Sequence, residues 1–398
     1  MREQLTSRER LLLAIDHQEA DRVPICFRSF GQVAPLETRD CWGNAFERAA
    51  GLAELGVDDV VRLHLPWFYH PDVTVRQWWH RRPGEPRPFI CKELATPRGV
   101  LRLTVQQSPD WIPQDLPLHA DQNWGRGVEF PVYDFADLEK LAYLLYDPRL
   151  ADLSPFRQHA QAHKSFASVH GLLVESEVFG LTQAIALMGP RRFLYAVIDE
   201  RDFVFAFLEM IHDWDMKRLG VLLDAGVDVI YCSGCYEVTE FFSPALIREL
   251  FLPFHKRMIE AVHQAGAKLH YYTVTGIMPL LADYRGIGVD ILSSLDPMGS
   301  GGPLRMNAVD LAQTKREIGD AVCLWGGVDP ENTLEQGTAA EVREAVRTAI
   351  ETCAPGGGFV LSLAGDIRSE NACSEGVYEN VMAFIEAGHE FGRYPLGG

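Results

Sequence analysis

From about residue 165 to the C-terminus, short apolar runs alternate with longer stretches of helical period, and this rhythm constrains the fold more than anything else in the sequence. Phe166 to Glu175, Val227 to Tyr231, Ala267 to Tyr272, Val289 to Ser293, Ala321 to Trp325 and Phe359 to Ser362 read as strands. Glu200 to Ala225, Pro244 to Gly266, Met278 to Tyr284, Ala308 to Ile318, Ala340 to Cys353 and Glu375 to Phe391 read as helices. Strand–helix units of this length imply a parallel sheet, because parallel strands need a long crossover where antiparallel ones need only a turn. Two earlier strands, Val23-Pro24-Ile25-Cys26-Phe27-Arg28 and Asp58 to Leu65, bring the expected total to eight. Eight such units predict an α/β fold of the (β/α)8 barrel type, one domain over residues 1–398.

The first part of the chain is less regular. Thr6 and Glu9 have capping-box spacing ahead of Leu11-Leu12-Leu13-Ala14-Ile15, which predicts a helix start. Phe89 to Leu94 and Val100 to Val105 alternate on either side of Thr96-Pro97-Arg98-Gly99, which predicts a β-hairpin. Residues 66–165 are accordingly read as hairpin and loop insertions on the barrel rim.

Charge restricts the partners. The chain carries 37 Lys and Arg against 55 Asp and Glu, a formal balance of −18. Phosphate contacts need clustered cations, so neither nucleic acid nor an anionic membrane surface is an expected partner. The opening Met1-Arg2-Glu3-Gln4-Leu5-Thr6 has no apolar core of a leader, and no uncharged apolar run reaches the ~18 residues that span a bilayer. The eight cysteines are scattered, unlike a small disulfide framework. A cytoplasmic protein with reduced thiols is expected, and a homo-oligomer is compatible with it.

In such a barrel the reacting groups stand at the C-terminal strand ends. That rule selects Arg28 and Gln32, His64, His170, Glu175 and Glu177, Cys232 and Cys235, His270 with Tyr271 and Tyr272, Asp296, Asp329, and Asp366 with Arg368. Arg28 either binds a carboxylate with its fork or forms a structural ion pair. Trp67-Phe68-Tyr69, Trp78-Trp79, Trp111, Trp124, Tyr231, Tyr236, Tyr271 and Tyr272 either pack the core or line a mouth suited to a flat substrate.

Arg10 to Ile15 followed by Asp21-Arg22-Val23-Pro24 resembles the opening of the uroporphyrinogen decarboxylase superfamily. The same holds for Ala95-Thr96-Pro97-Arg98-Gly99, for Phe242-Ser243-Pro244 with Phe251-Leu252-Pro253, and for Trp325-Gly326-Gly327-Val328-Asp329-Pro330 with Gly356 to Ser362. The resemblance runs in order over essentially the whole chain. The superfamily holds decarboxylases and corrinoid-linked methyltransferases, and the Thr-Pro-x-Gly hairpin is closest to the second branch. The decarboxylases resembled here carry an arginine-rich signature for a polycarboxylate substrate. Here that stretch reads Phe27-Arg28-Ser29-Phe30-Gly31-Gln32, with glutamine in the second arginine's place.

The methyltransferases resembled here bind zinc through His-x-Cys and a later Cys. Here the first motif reads His270-Tyr271-Tyr272 and the later stretch Leu363-Ala364-Gly365-Asp366, so the histidine is kept and both thiolates are absent. A zinc ion would then draw on His270, Glu175, Glu177, Cys232 and Cys235, whereas without metal His270 is an acid or a hydrogen-bonded rim residue. The resemblance implies catalytic roles for His270, Glu175 and Asp366, and substrate contacts from Arg28, Gln32, Tyr272 and Asp329. The expected activity is demethylation of a small methylated compound, such as a methoxylated aromatic, with a corrinoid carried by a separate protein. The alternatives are a decarboxylase or lyase acting on a small carboxylic acid, and an inactive barrel that serves as a binding subunit.

Overall fold

A computed structural model describes residues 5–27, 44–107, 116–118, 125–299, 307–365 and 375–396. The chain opens with α1 (Ser7–Ile15), α2 (Ala45–Glu54) and β1 (Val60–Leu63). Strands β2 (Thr74–His80), β3 (Phe89–Thr96), β4 (Gly99–Gln107) and β5 (Gly125–Glu129) follow, then α3 (Phe135–Leu141) and α4 (Ser154–His170). Next come β6 (Leu173–Val178), α5 (Thr182–Met188), α6 (Pro190–Asp199), α7 (Arg201–Asp224) and β7 (Val229–Ser233). Helices α8 (Pro244–Leu250) and α9 (Leu252–Gln264) lead to β8 (Lys268–Tyr272), α10 (Leu281–Ile287), β9 (Ile291–Leu295) and α11 (Leu311–Ile318). The chain ends with β10 (Cys323–Val328), α12 (Ala339–Cys353), β11 (Phe359–Leu363) and α13 (Glu375–Phe391).

Seven strands form one parallel sheet in the order β1-β6-β7-β8-β9-β10-β11, and β2 to β5 form a separate antiparallel sheet. The turn at Pro97-Arg98 joins β3 to β4, with Thr96 opposite Gly99. The segment around Ile25, expected as a full strand, makes one parallel bridge to Leu361. Cys26 donates to Leu361 O at 3.0 Å, Leu361 donates to Pro24 O at 2.9 Å, and Asp58 donates to Ile25 O at 2.7 Å. Among the described residues no helix is long and apolar enough to cross a membrane.

Two sequence boundaries move, each for a local reason. Phe166 to His170, expected as strand, is the last turn of α4. Its buried residues Phe156, Ala160, His163 and Ala167 have helical spacing, and Gly171 ends it in the left-handed region at φ 61°. The strand therefore starts at Leu173, and His170 lies at a helix end stacked on Phe166 (4.1 Å between ring centroids), away from the mouth. The stretch from Pro244 divides at Phe251, because Pro253 has no N–H to continue a helix but fits the first turn of α9.

Alternation along each strand sorts the side chains between two environments. One set, among them Val61, Val174, Ile230, Leu269, Leu292, Leu324 and Leu361, packs against the surrounding helices. The other set, Cys26, Val60, Leu173, Val229, Ile291, Cys323, Trp325 and Val360, forms an inner cluster that Leu11, Ala14 and Ile15 of α1 close off. The predicted capping box holds the start of that plug, with Thr6 accepting from Glu9 N and Glu9 accepting from Thr6 N.

Charged groups fix the entry of the chain. Arg10 pairs with Asp58 at 2.5 Å and with Asp21 at 2.7 Å, and Arg22 pairs with Asp58 at 2.7 Å. Asp58 also accepts Ile25 N–H at 3.1 Å, so this buried carboxylate ties α1, the Ile25 segment and the approach to β1 together.

Candidate active site

The next inward-facing position on each strand changes character. Above the apolar cluster stand Arg62 on β1, Glu175 on β6, Tyr231 on β7, His270 on β8, Ser293 on β9, Trp325 on β10 and Ser362 on β11. Arg62 Nε donates to Glu175 Oε2 at 3.1 Å, and these two residues are register partners. His270 Nδ1 lies 3.3 Å from Glu175 Oε1. Glu175 and His270 belong to strands separated by β7, so only side chains that both point inward can meet. The imidazole stacks on Trp325, with 5.0 Å between centroids, and meets the edge of Tyr231 at 5.4 Å. Trp325 Nε1 donates to Cys26 O at 3.2 Å, which anchors the ring behind His270. The outcome is a fully buried imidazole, held by aromatic rings, at one end of an Arg62–Glu175–His270 chain of contacts.

One turn of the pleat higher, His64 and Glu177 form a second, open pair at 3.7 Å, their side chains 65% and 45% exposed. Tyr272 stands at this level, half-buried, 5.7 Å from Tyr231. Strand β10 reaches the rim through a register shift between Trp325 and Gly326. Gly326 adopts φ 146°, and a Cβ there would stand 2.9 Å from Leu295 N, so only glycine fits the bulge.

Other expected site residues are used differently. Cys232 faces outward from β7, fully buried against Gly180, and burial pushes its thiol well above the usual range. Cys235, on the following loop, is partly exposed and accepts from Ser233 Oγ at 3.1 Å. A thiol reagent is therefore expected to leave Cys232 unmodified until the protein unfolds; peptide mass mapping after brief iodoacetamide treatment checks this. Asp329, expected to bind substrate, caps the helical turn Pro330–Glu335 by accepting Asn332 N and Thr333 N, which occupies it locally. Asp296 similarly accepts Met298 N at 2.8 Å. Tyr271 lies on the opposite face of β8 from His270 and donates to Glu237 at 2.9 Å, while His255 bonds the same carboxylate. Arg28, Gln32, Trp111, Trp124, Asp366 and Arg368 lie outside the described residues.

Among the described residues, no group of three or more His, Cys, Asp and Glu side chains is disposed to hold a metal ion. Of the five metal candidates, His270 and Glu175 come together on the inner face, and Cys232 and Cys235 neighbour each other at the end of β7. Glu175 is shared with a guanidinium, Glu177 pairs with His64, and a thiol as deeply buried as Cys232 resists the deprotonation that a soft zinc site requires. Among the described residues these donors do not assemble a soft, thiolate-rich zinc site.

Sequence reasoning passed over Arg62. Its signal was parity: in Val60-Val61-Arg62-Leu63-His64 it shares the inward face with His64, and a charge in the middle of a buried strand needs a partner. Behind the site, Asp215 accepts Gly180 N–H at 2.8 Å. Burial raises its carboxyl to about 7, against the pull of Arg218. A raised acid favours the folded state while protonated, so this contribution is complete below the unfolded value of 3.8 and disappears as pH rises towards 7. Asp215→Asn is expected to flatten the fall of melting temperature over that window, as thermal scans against pH would show.

The uroporphyrinogen decarboxylase family model matches residues 180–391, more than half of the chain. The chain belongs to the uroporphyrinogen decarboxylase family. A stretch of 83 residues is 34% identical to uroporphyrinogen decarboxylase of Pseudoalteromonas translucida (strain TAC 125), covering 21% of this chain and 22% of that one. The match thus spans about a fifth of that relative's length. A methyltransferase from Methanosarcina mazei superposes with a TM-score of 0.60 at 18% identity, over 98% of this chain and 99% of that one, a likeness of fold. Within this family member, Asp21-Arg22-Val23-Pro24 has a structural part: Arg22 and Asp21 belong to the ion-pair cluster that seats the Ile25 segment.

Proposed function

We propose that this family member is a methyl-transferring enzyme that removes a methyl group from a small methylated compound, a methoxylated aromatic being the best fit, at the mouth of a closed barrel. The hydrogen bonds of Pro24 and Cys26 with Leu361 and of Ile25 with Asp58 support closure, since Leu361 belongs to β11 and Asp58 leads into β1. The observation that carries the reading is the buried Arg62–Glu175–His270 chain in the inward-facing polar layer. Glu175 orients the ring through Nδ1, and Arg62 holds Glu175 as the carboxylate that this requires. His270 then gives a proton to the oxygen from which the methyl group departs: the C–O bond breaks, its electron pair stays on oxygen, and the proton from the ring joins it. Tyr231, Tyr272 and Trp325 supply ring faces beside that proton. A corrinoid on a separate protein, when bound, supplies the nucleophile that takes the methyl group.

Incubation of the purified protein with methoxylated benzoates and free cob(I)alamin, followed by absorbance and by chromatography of the phenol formed, tests this reading. Loss of the cob(I)alamin band with stoichiometric phenol is expected. Carbon dioxide release without phenol would point to a decarboxylase instead.

A further inference from the structure

Ser293 carries a buried hydroxyl on the inner face of the sheet. It stands on β9, between β8 with His270 and β10 with Trp325, and its register partners are Tyr272 and Trp325. Alternation puts Ile291 in the inner apolar cluster and Leu292 among the residues that face the helices, so Ser293 faces inward again. The residue is 4% exposed, and no hydrogen bond engages its Oγ. Other buried hydroxyls are used: Ser176 donates to Leu63 O at 2.6 Å, Thr104 to Glu129 at 2.6 Å and Thr314 to Asp310 O at 2.8 Å. Thr273 Oγ1 also lacks a partner, but it lies past the end of β8, two residues on from Tyr271, whose face is opposite to that of His270. In the layer of Ser293 the neighbouring polar groups are committed, Arg62 to Glu175, Glu175 to His270 and Trp325 Nε1 to Cys26 O. Burying an unpaired hydroxyl opposes folding, and such exceptions concentrate where a ligand completes them.

We infer that Ser293 selects the substrate: its hydroxyl hydrogen-bonds a second polar substituent of the methoxylated ring, an oxygen other than the one that loses its methyl group. The inference rests on the demethylation reading above and adds to it a residue and a feature of the substrate. No hydrogen bond joins Ser293 to His270, and their strands lie side by side, about 4.8 Å apart. A ring that spans the two presents its methoxy group to His270 and a hydroxyl or second ether oxygen to Ser293. A ring without that oxygen leaves the hydroxyl buried and unpaired. A site built to bond a substrate hydroxyl discriminates against the analogue that lacks it far more than an apolar pocket does.

Calorimetric binding to wild type and Ser293→Ala tests the inference and needs no methyl transfer. The probes are para-methoxybenzoate and the same acid with a hydroxyl ortho or meta to the methoxy group. Wild type is expected to bind one of the hydroxylated acids about 10-fold or more tighter than the parent. Ser293→Ala is expected to lose that preference and to bind the parent as wild type does. Thermal melts without ligand give a second readout. Ser293→Ala should match or exceed wild type, because it removes an unpaired hydroxyl, whereas Ser176→Ala loses a hydrogen bond and should melt lower. Wild type that binds all three acids alike, or a preference that survives Ser293→Ala, would overturn the inference and leave the demethylation reading standing. So would a Ser293→Ala protein that melts lower and binds all three equally weakly, since that is a packing role. Wild type that binds none of the three would overturn both.

Discussion

Asp58→Ala is expected to destabilise the fold by about 3–5 kcal/mol, because it removes the buried carboxylate that two buried guanidinium groups share. Arg10 and Asp58 have side chains only 1% exposed, and Asp58 holds one oxygen against Arg10 and the other against Arg22 and Ile25 N–H. Arg10 keeps Asp21 and Leu5 O after the substitution, and Arg22 keeps Val23 O and Gly56 O. Arg10 thus retains a second carboxylate, whereas these bonds of Arg22 are to neutral carbonyls. The seam that loosens is the one by which the Ile25 segment meets β1, so the loss should appear as cooperative unfolding at lower denaturant. Asp21→Ala provides the contrast: its side chain is 18% exposed, so water replaces part of what is lost. Denaturant titrations of the three proteins side by side measure the difference. Equal midpoints for Asp58→Ala and wild type would show that the cluster does not hold this seam.

Glu175→Gln is expected to lower kcat by about 100-fold or more while changing KM much less. The amide preserves shape but removes the charge that fixes the Nδ1 proton and that Arg62 was placed to stabilise. Arg62→Lys tests the outer link, since a lysine can restore the charge but not the fork geometry of the guanidinium. A drop about tenfold smaller than that of Glu175→Gln is expected there. Steady-state kinetics with one methoxylated donor decide the matter, and a rise in KM alone would reassign Glu175 to binding.

How much of this the sequence discloses depends on whether a residue's role follows from its own strand. The positions of β7 to β11 came out within three residues at each end, because each is a short apolar run between helical stretches. His270 and Glu175 were legible as strand-end groups. Arg62 was not, since its importance lies in a partner on β6 that only the register Arg62–Glu175 supplies. Phe166 to His170 misled because aromatic and β-branched residues suit a strand and a buried helix face alike, and Gly171 settles the matter only once its left-handed conformation is known. Cys232 and Cys235 suggested a ligand pair by spacing. Strand alternation puts Cys232 on the opposite face of β7 from Tyr231, a fact that spacing in sequence does not encode. Asp329 follows a strand, as a catalytic carboxylate would, but Pro330 opens a helical turn there and the nearest free N–H groups take its oxygen.

A leaving-group series tests the account's central claim most directly. Wild type and His270→Ala would be compared on methyl aryl ethers whose phenols span a range of acidity, with methyl transfer to free cob(I)alamin followed under single-turnover conditions. If His270 protonates the departing oxygen, its removal should cost about 100-fold or more with the least acidic phenol and progressively less as the phenol becomes more acidic, because a stable phenolate needs no proton. A loss of the same size across the whole series would contradict that role and leave His270 as a group that only positions the substrate.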